Sequence, residues 1–206
     1  MPYFNYAVKG NLGFDSSGRP TVPLTLAQVK NGLTNKNRIE DMLIDTGAVL
    51  TSLNKKVADI NRFPIIKHRE PVLMGFNDFG RAIRSLIKRG KSDAEAKAYL
   101  GQFVGRSKNL IDSLRNEFDI TDIGLVCDLR KVSYAVLYDY VIEDVIIVTP
   151  SDDDVIITEV IGMNILEKFR VGFDFENDKI HLDECGGTNS RISHDFACGN
   201  VTRIER

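Results

Sequence analysis

Met42-Leu43-Ile44-Asp45-Thr46-Gly47-Ala48-Val49-Leu50-Thr51-Ser52-Leu53 reads as an apolar strand that delivers a carboxylate into a tight turn and then returns to β-prone sequence. Leu43 and Ile44 lead in as a buried strand. Gly47 lets the chain turn and pass close to a second backbone with no Cβ in the way. Thr46 offers a hydroxyl to brace the turn. A carboxylate held by its backbone in this manner, at the bottom of a cleft, is suited to activating water.

Near neutral pH a single carboxylate is ionised and acts only as a base, whereas hydrolysis of a peptide also needs an acid for the carbonyl oxygen and the leaving amine. Two aspartates a few ångströms apart meet both needs by sharing one proton, because both cannot ionise at that separation. The proton then belongs to the pair. No second Asp-Thr-Gly or Asp-Ser-Gly occurs in the chain; the nearest string, Asp15-Ser16-Ser17-Gly18, has an extra residue and no apolar strand before it. A twofold homodimer supplies the partner, since a residue on the axis meets its own copy.

Working outward, Thr21 to Val29 carries apolar residues at every second position from Val22 to Leu26 and predicts a half-buried strand, with Ile39 to Ile44 as the next. Asn31 to Asn37 supplies the Gly/Asn chemistry of a hairpin loop between them. After the Asp45 turn, Val49 to Leu53 predicts a strand and Lys55 to Ile60 a short helix. Farther along, Val132 to Tyr138, Val141 to Val148 and Val155 to Ile157 predict strands. Gly162 to Phe169 predicts a short helix, and Val171 to Phe175 with Lys179 to Leu182 a closing hairpin.

Between these β regions, residues 79–118 change character. Ile83, Leu86 and Ile87 share one helical face, and Ala96, Tyr99, Leu100, Phe103 and Val104 follow i, i+3, i+4, i+7 and i+8. Ser92-Asp93-Ala94-Glu95 has the form of a capping box. Two or three amphipathic helices are expected, inserted into a β protein. From Arg81 to Glu117 there are nine Lys/Arg against four Asp/Glu, a local +5, so the rest of the chain carries −7 to give the net −2. The final stretch, 184–206, is polar, and is expected to be a mobile tail or, through Val201 to Ile204, an interface strand.

The Met42–Leu53 segment resembles the active-site segment of the retropepsins, the retroviral-type single-lobe aspartic proteases. A second block, Val160-Ile161-Gly162-Met163-Asn164-Ile165-Leu166, resembles that family's apolar-strand, glycine, short-helix element near the C-terminus, and a hairpin follows it as expected. The resemblance implies a mainly β, single-lobe closed fold of the acid-protease kind over residues 1–183, with the 79–118 helical block inserted. It implies that Asp45 is the catalytic aspartate, that Thr46 grips its counterpart across the dimer axis, and that Gly47 and Ala48 line the substrate cleft. Gly162 would let the second loop cross the first, and Asn164 would brace the helix that follows. It also implies a homodimer, a peptide or protein substrate, and neither cofactor nor metal. The match covers about residues 21–60 and 123–183 and leaves the helical block unmatched where the family carries its flap. Met74 to Gly80 reads as a remnant of that flap, or the flap lies around Val126 to Ser133 with the helices as a lid. The alternative function is a non-catalytic dimerisation or peptide-binding module whose cleft the helical block covers.

Composition agrees with a globular protein: 206 residues, 43% hydrophobic and 27% charged, with no low-complexity tract. Met1 to Tyr6 lacks the basic start and apolar stretch of a secretory signal. Apolar runs such as Val145 to Val148 fall far short of the roughly 18 residues that span a bilayer. Cys127, Cys185 and Cys198 form an odd set without CxxC spacing, so they read as reduced thiols in a cytoplasmic protein, with a Cys185–Cys198 bridge the disfavoured alternative because nothing else suggests an oxidising compartment. His68, His181 and His194 are scattered, with no HExxH pairing for a metal. Asp152-Asp153-Asp154 reads as an exposed turn, since no EF-hand spacing follows. The basic block has interspersed charges and no nucleic-acid recognition motif, so it reads as a solvated amphipathic surface.

Overall fold

The structure, a computed structural model, describes residues 8–72, 75–102, 107–120, 124–185 and 198–204. Met74, Phe103, Val104, Ile123 and His194 lie outside the described residues. In chain order the elements are β1 (Val8–Asn11), β2 (Gly13–Phe14), β3 (Pro20–Lys30), β4 (Leu33–Ile44), β5 (Thr51–Ser52), α1 (Lys55–Ile60), β6 (Ile65–Val72), α2 (Gly75–Lys88), α3 (Asp93–Gly101), α4 (Ser107–Phe118), β7 (Leu125–Leu137), β8 (Tyr140–Pro150), β9 (Val160–Ile161), α5 (Met163–Leu166), β10 (Phe169–Asp174), β11 (Lys179–Glu184) and β12 (Val201–Arg203). Strand is 47% and helix 23% of the structure, so the chain is mainly β.

The larger sheet closes on itself. Neighbouring strands run β8, β5, β9, β4, β3, β7, and β7 pairs back to β8 from Cys127↔Pro150 to Leu137↔Tyr140, which completes a six-stranded barrel. Closure suits the sequence because apolar residues at every second position point into one core, where Leu24, Leu26, Met42, Leu53, Ile142 and Ile147 are fully buried. A separate three-stranded sheet, ordered β1, β11, β10, covers one side of that core through Phe169, Ile180 and Leu182. Residues 201–203 are held within the chain, where β12 adds to β8.

Two elements differ from what the sequence pattern predicts. The expected 31–37 loop is only a two-residue turn: Asn31 and Gly32 both have positive φ, at 53° and 76°, as a tight hairpin requires, and Thr34 to Asn37 continue β4 opposite Val29 to Leu26. Polar residues fit there because this end of β4 faces solvent. The expected strand at Val155 to Ile157 is an irregular link. Side chains satisfy its backbone instead of a ladder: Ile157 N donates to Asn54 Oδ1 at 3.1 Å, and Ser52 Oγ donates to Thr158 O at 2.9 Å.

The helical block grows from the ends of β6 and β7, which pair antiparallel with Val72 opposite Leu125. The block has its own core of Ala82, Leu86, Ala96, Leu100, Leu110 and Leu114. The capping box forms at the start of α3, where Ser92 Oγ accepts from Glu95 N and Glu95 Oε2 accepts from Ser92 N at 2.8 Å. Residues 75–80 open α2, and Val126 to Ser133 lie inside β7, which pairs antiparallel with β6. The β6–β7 pair is joined through the helices α2, α3 and α4.

One buried charge cluster supports β7. Arg130 donates to Thr149 Oγ1, to Phe63 O and to the Asp59 carboxylate. Asp128 Oδ1 accepts from Arg69 N at 3.0 Å and from Ser151 Oγ at 2.8 Å. Burial opposes the charge of Asp128, but these two donors, with the charges of His68 and Arg130, outweigh it and hold the carboxyl below its ordinary value. A depressed folded pKa stabilises above the unfolded value and loses that contribution as pH falls through the folded one. Asp128→Asn is therefore expected to cost about 2 kcal/mol at neutral pH, and the gap from wild type should narrow below pH 3.8. Thermal melts across that range check it, and a gap that widens in acid would refute the assignment.

None of the three cysteines is in a disulfide; Cys127 and Cys198 are buried and Cys185 is exposed. Burial pushes the Cys198 thiol up to about 12, which keeps it protonated and unreactive. Alkylation of native protein followed by intact mass should show Cys185 alone modified, and all three only after denaturation. Native labelling of Cys198 would contradict its burial.

Candidate active site

The Asp45 turn is built by a strand slipped between two others. β9 pairs parallel with β4, Leu43 opposite Val160 and Ile44 opposite Ile161, and antiparallel with β5 at Ser52. The chain thus leaves β4, makes the 45–50 turn, and returns as β5 with β9 lodged between. Backbone bonds fix the entry: Leu43 N donates to Glu159 O at 3.1 Å and Asp45 N to Ile161 O at 3.2 Å.

Within the turn, Gly47 N donates to Asp45 Oδ1 at 2.8 Å, and Ala48 N donates to Asp45 O at 3.2 Å. One carboxylate oxygen is therefore anchored, while among the described residues nothing is bonded to the other. Asp45, Gly47 and Ala48 are half-buried, and Thr46 is exposed. An aspartate so held presents a fixed, solvent-reachable oxygen, which is the geometry a general base or a proton-sharing partner needs. Beside it Val49 is 39% exposed.

The second block clamps the first. Met163 N donates to Ala48 O at 2.8 Å and Asn164 N to Val49 O at 3.0 Å. Asn164 is fully buried; its Oδ1 accepts from Thr51 N and Thr51 Oγ1, both at 2.9 Å, and its Nδ2 donates to Ile146 O at 2.7 Å. Gly162 lies across the Leu50–Thr51 peptide so closely that an added Cβ would stand 2.4 Å from Leu50 C. Asp45, Gly47, Ala48, Gly162 and Asn164 are thus one connected unit, with Thr46 on its outer surface.

The sequence reading passed over Thr51. Its hydroxyl donates to Asn164 and accepts from Gly162 N at 3.2 Å, so it joins the two loops. The available signal was the polar pair Thr51-Ser52 inside a run otherwise apolar from Val49 to Leu53. Leu50 was also passed over; it forms a small apolar cluster with Cys127, Leu129 and Val148, against which Val72 and Leu125 lie. The root of the helical block is thereby packed against the Asp45 loop.

A cavity of about 570 Å³ lies elsewhere, lined by Lys9, Thr21, Arg38, Asp41 and Tyr138 among others, and Asp45 is not part of it. Among the described residues no group of three or more His, Cys, Asp or Glu is placed to hold a metal ion, and no helix is long and apolar enough to cross a membrane.

No family model matches the chain, and no curated protein does. Among solved structures, a retropepsin-like aspartic protease from Rickettsia conorii is similar, at 15% identity and a TM-score of 0.39, with 88% of this chain and 96% of that one covered. The mainly β closed barrel stands on this chain's own strand order.

Proposed function

We propose that the chain is one half of an aspartic endopeptidase of the retropepsin kind, active as a homodimer. The observation that carries the reading is the Asp45 turn: an aspartate at the end of a buried strand, one oxygen tied to Gly47 N–H, the other open, and the whole loop clamped by Gly162 and Asn164. Two copies bring two such carboxylates together. Sharing one proton, the ionised member takes a proton from water as it attacks the peptide carbonyl, and the protonated member donates to the carbonyl oxygen. Collapse of the tetrahedral intermediate returns a proton to the leaving amine. The half-exposed Val49 and the exposed Thr46 border the open side, where an extended peptide and the second copy would meet it. The reaction needs neither metal nor organic cofactor. Cleavage of an unbiased peptide mixture by wild type and by Asp45→Asn, read by mass spectrometry, is the test.

A further inference from the structure

The cavity of about 570 Å³ lies on the face of β3 that points away from the core: Thr21, Pro23 and Thr25 line it, alternating with the buried Val22, Leu24 and Leu26. Its volume is that of a small-molecule site. A bulge shapes one wall. Val22 pairs with Met42 and Leu24 with Ile39, so Pro23 alone stands opposite both Glu40 and Asp41. In a regular strand neighbouring side chains point to opposite faces, and a bulge re-aims one of them. Here both carboxylates line the cavity. The β7–β8 turn contributes Tyr138 and Asp139, and residues 9–13 border the rest.

Hydrogen bonds within the chain already engage several of these groups. Arg38 Nε donates to Glu40 Oε1 at 2.7 Å, Tyr138 Oη donates to Asn11 O, and Lys179 Nζ donates to Asn11 Oδ1 at 2.6 Å. Among the described residues the Asp41 carboxylate has no such partner, and the Thr21 hydroxyl, on a residue 1% exposed, has none either. The two converge beside Gly13: the position a Cβ would take there is 2.7 Å from Thr21 Oγ1 and 3.8 Å from Asp41 Oδ1. A buried hydroxyl without a partner is costly unless a ligand supplies one. An ammonium, with three donors and no acceptor, suits a hydroxyl and a carboxylate together. Lys9 and Arg38 face Glu40, Asp41 and Asp139, a net −1 that favours a cation. Among the described residues the carboxylates do not gather closely enough to hold a metal ion. Asp41 and Asp139 instead belong to strands β4 and β7 and the turn that follows, which flank β3 with about 10 Å between them. An extended cation charged at both ends reaches both walls. We propose that this cavity binds an aliphatic diamine, one ammonium donating to Asp41 and Thr21 beside Gly13, the other directed at Asp139, and the methylenes over Pro23 and Val136.

The site stands apart from the peptidase reading, and peptide cleavage, present or absent, leaves its test unchanged. Titrating the full chain with diaminobutane, butanediol and butanedioate at constant ionic strength, followed by amide NMR, compares a cation, a neutral molecule and an anion of one length. Diaminobutane alone should saturate, with shifts centred on Gly13, Thr21 and Tyr138. Asp41→Asn should weaken it about tenfold or more, and Thr21→Val about threefold or more. Valine keeps the shape of threonine and removes an unpaired buried hydroxyl, so the melting temperature of Thr21→Val should hold or rise while its binding falls. Damage to the fold would lower both. Butanediol or butanedioate binding as tightly as diaminobutane would overturn the proposal. So would diamine shifts that never saturate or that spread evenly over the acidic surface, or two variants that bind like wild type.

Discussion

Gly162→Ala is expected to destabilise the protein by about 3 kcal/mol or more, beyond the usual range for adding one methyl group. The built Cβ stands 2.4 Å from Leu50 C, 2.6 Å from Leu50 O and 2.8 Å from Thr51 N. All three are backbone atoms of the loop that carries Asp45, so no rotamer change relieves the clash. The loops would have to part. Parting them strains the Met163 N and Asn164 N bonds to Ala48 and Val49, and the Gly162 N bond to Thr51 Oγ1. The φ of Gly162 is −89°, which any residue adopts, so the requirement for glycine here is one of space alone. Gly32→Ala gives the contrasting control: nothing lies within 4 Å of its added Cβ, and only its φ of +76° resists, at about 1 kcal/mol. Urea denaturation of both variants separates the two cases. Equal small losses would show that the crossing opens freely.

Asp45→Asn is expected to lower peptide cleavage on the order of 10²- to 10⁴-fold while leaving stability within about 0.5 kcal/mol of wild type. The amide oxygen of asparagine can still accept from Gly47 N–H, so the turn keeps its shape. What disappears is ionisation: two amides facing each other have no proton to share and no base to take one from water. Loss of cleavage with an unchanged melting curve assigns the chemistry to the carboxylate. Cleavage that survives the substitution would remove Asp45 from the reaction.

The sequence made the barrel legible where its side chains alternate. Val22 to Leu26 and the Leu43-Ile44 lead-in announced strands because one face of each is buried, and the structure puts them there. The Ser92–Glu95 box announced the start of α3 because its two hydrogen bonds are local. What escaped was set by distant partners. Val155 to Ile157 has strand composition, yet Asn54 and Ser52, about 100 residues earlier in the chain, hold that link in irregular form. The 31–37 loop shrank to two residues because Asn31 and Gly32 supply the whole reversal, which leaves polar residues free to extend β4. At the candidate site, Asp45 and Gly162 could be picked out by motif. Thr51 could not, since its value lies in an asparagine 113 positions away.

The helical block leaves β6 at Val72 and returns to β7 at Leu125, two residues that face each other across one antiparallel step. In topological terms it is a side branch whose two attachment points are already neighbours. The ring of strand pairings does not pass through it, and its apolar core is separate from that of the barrel. Its length and composition can therefore drift without altering the frame that holds Asp45, whereas the 45–53 and 160–166 segments, each passing through the other's hydrogen bonds, admit no such freedom.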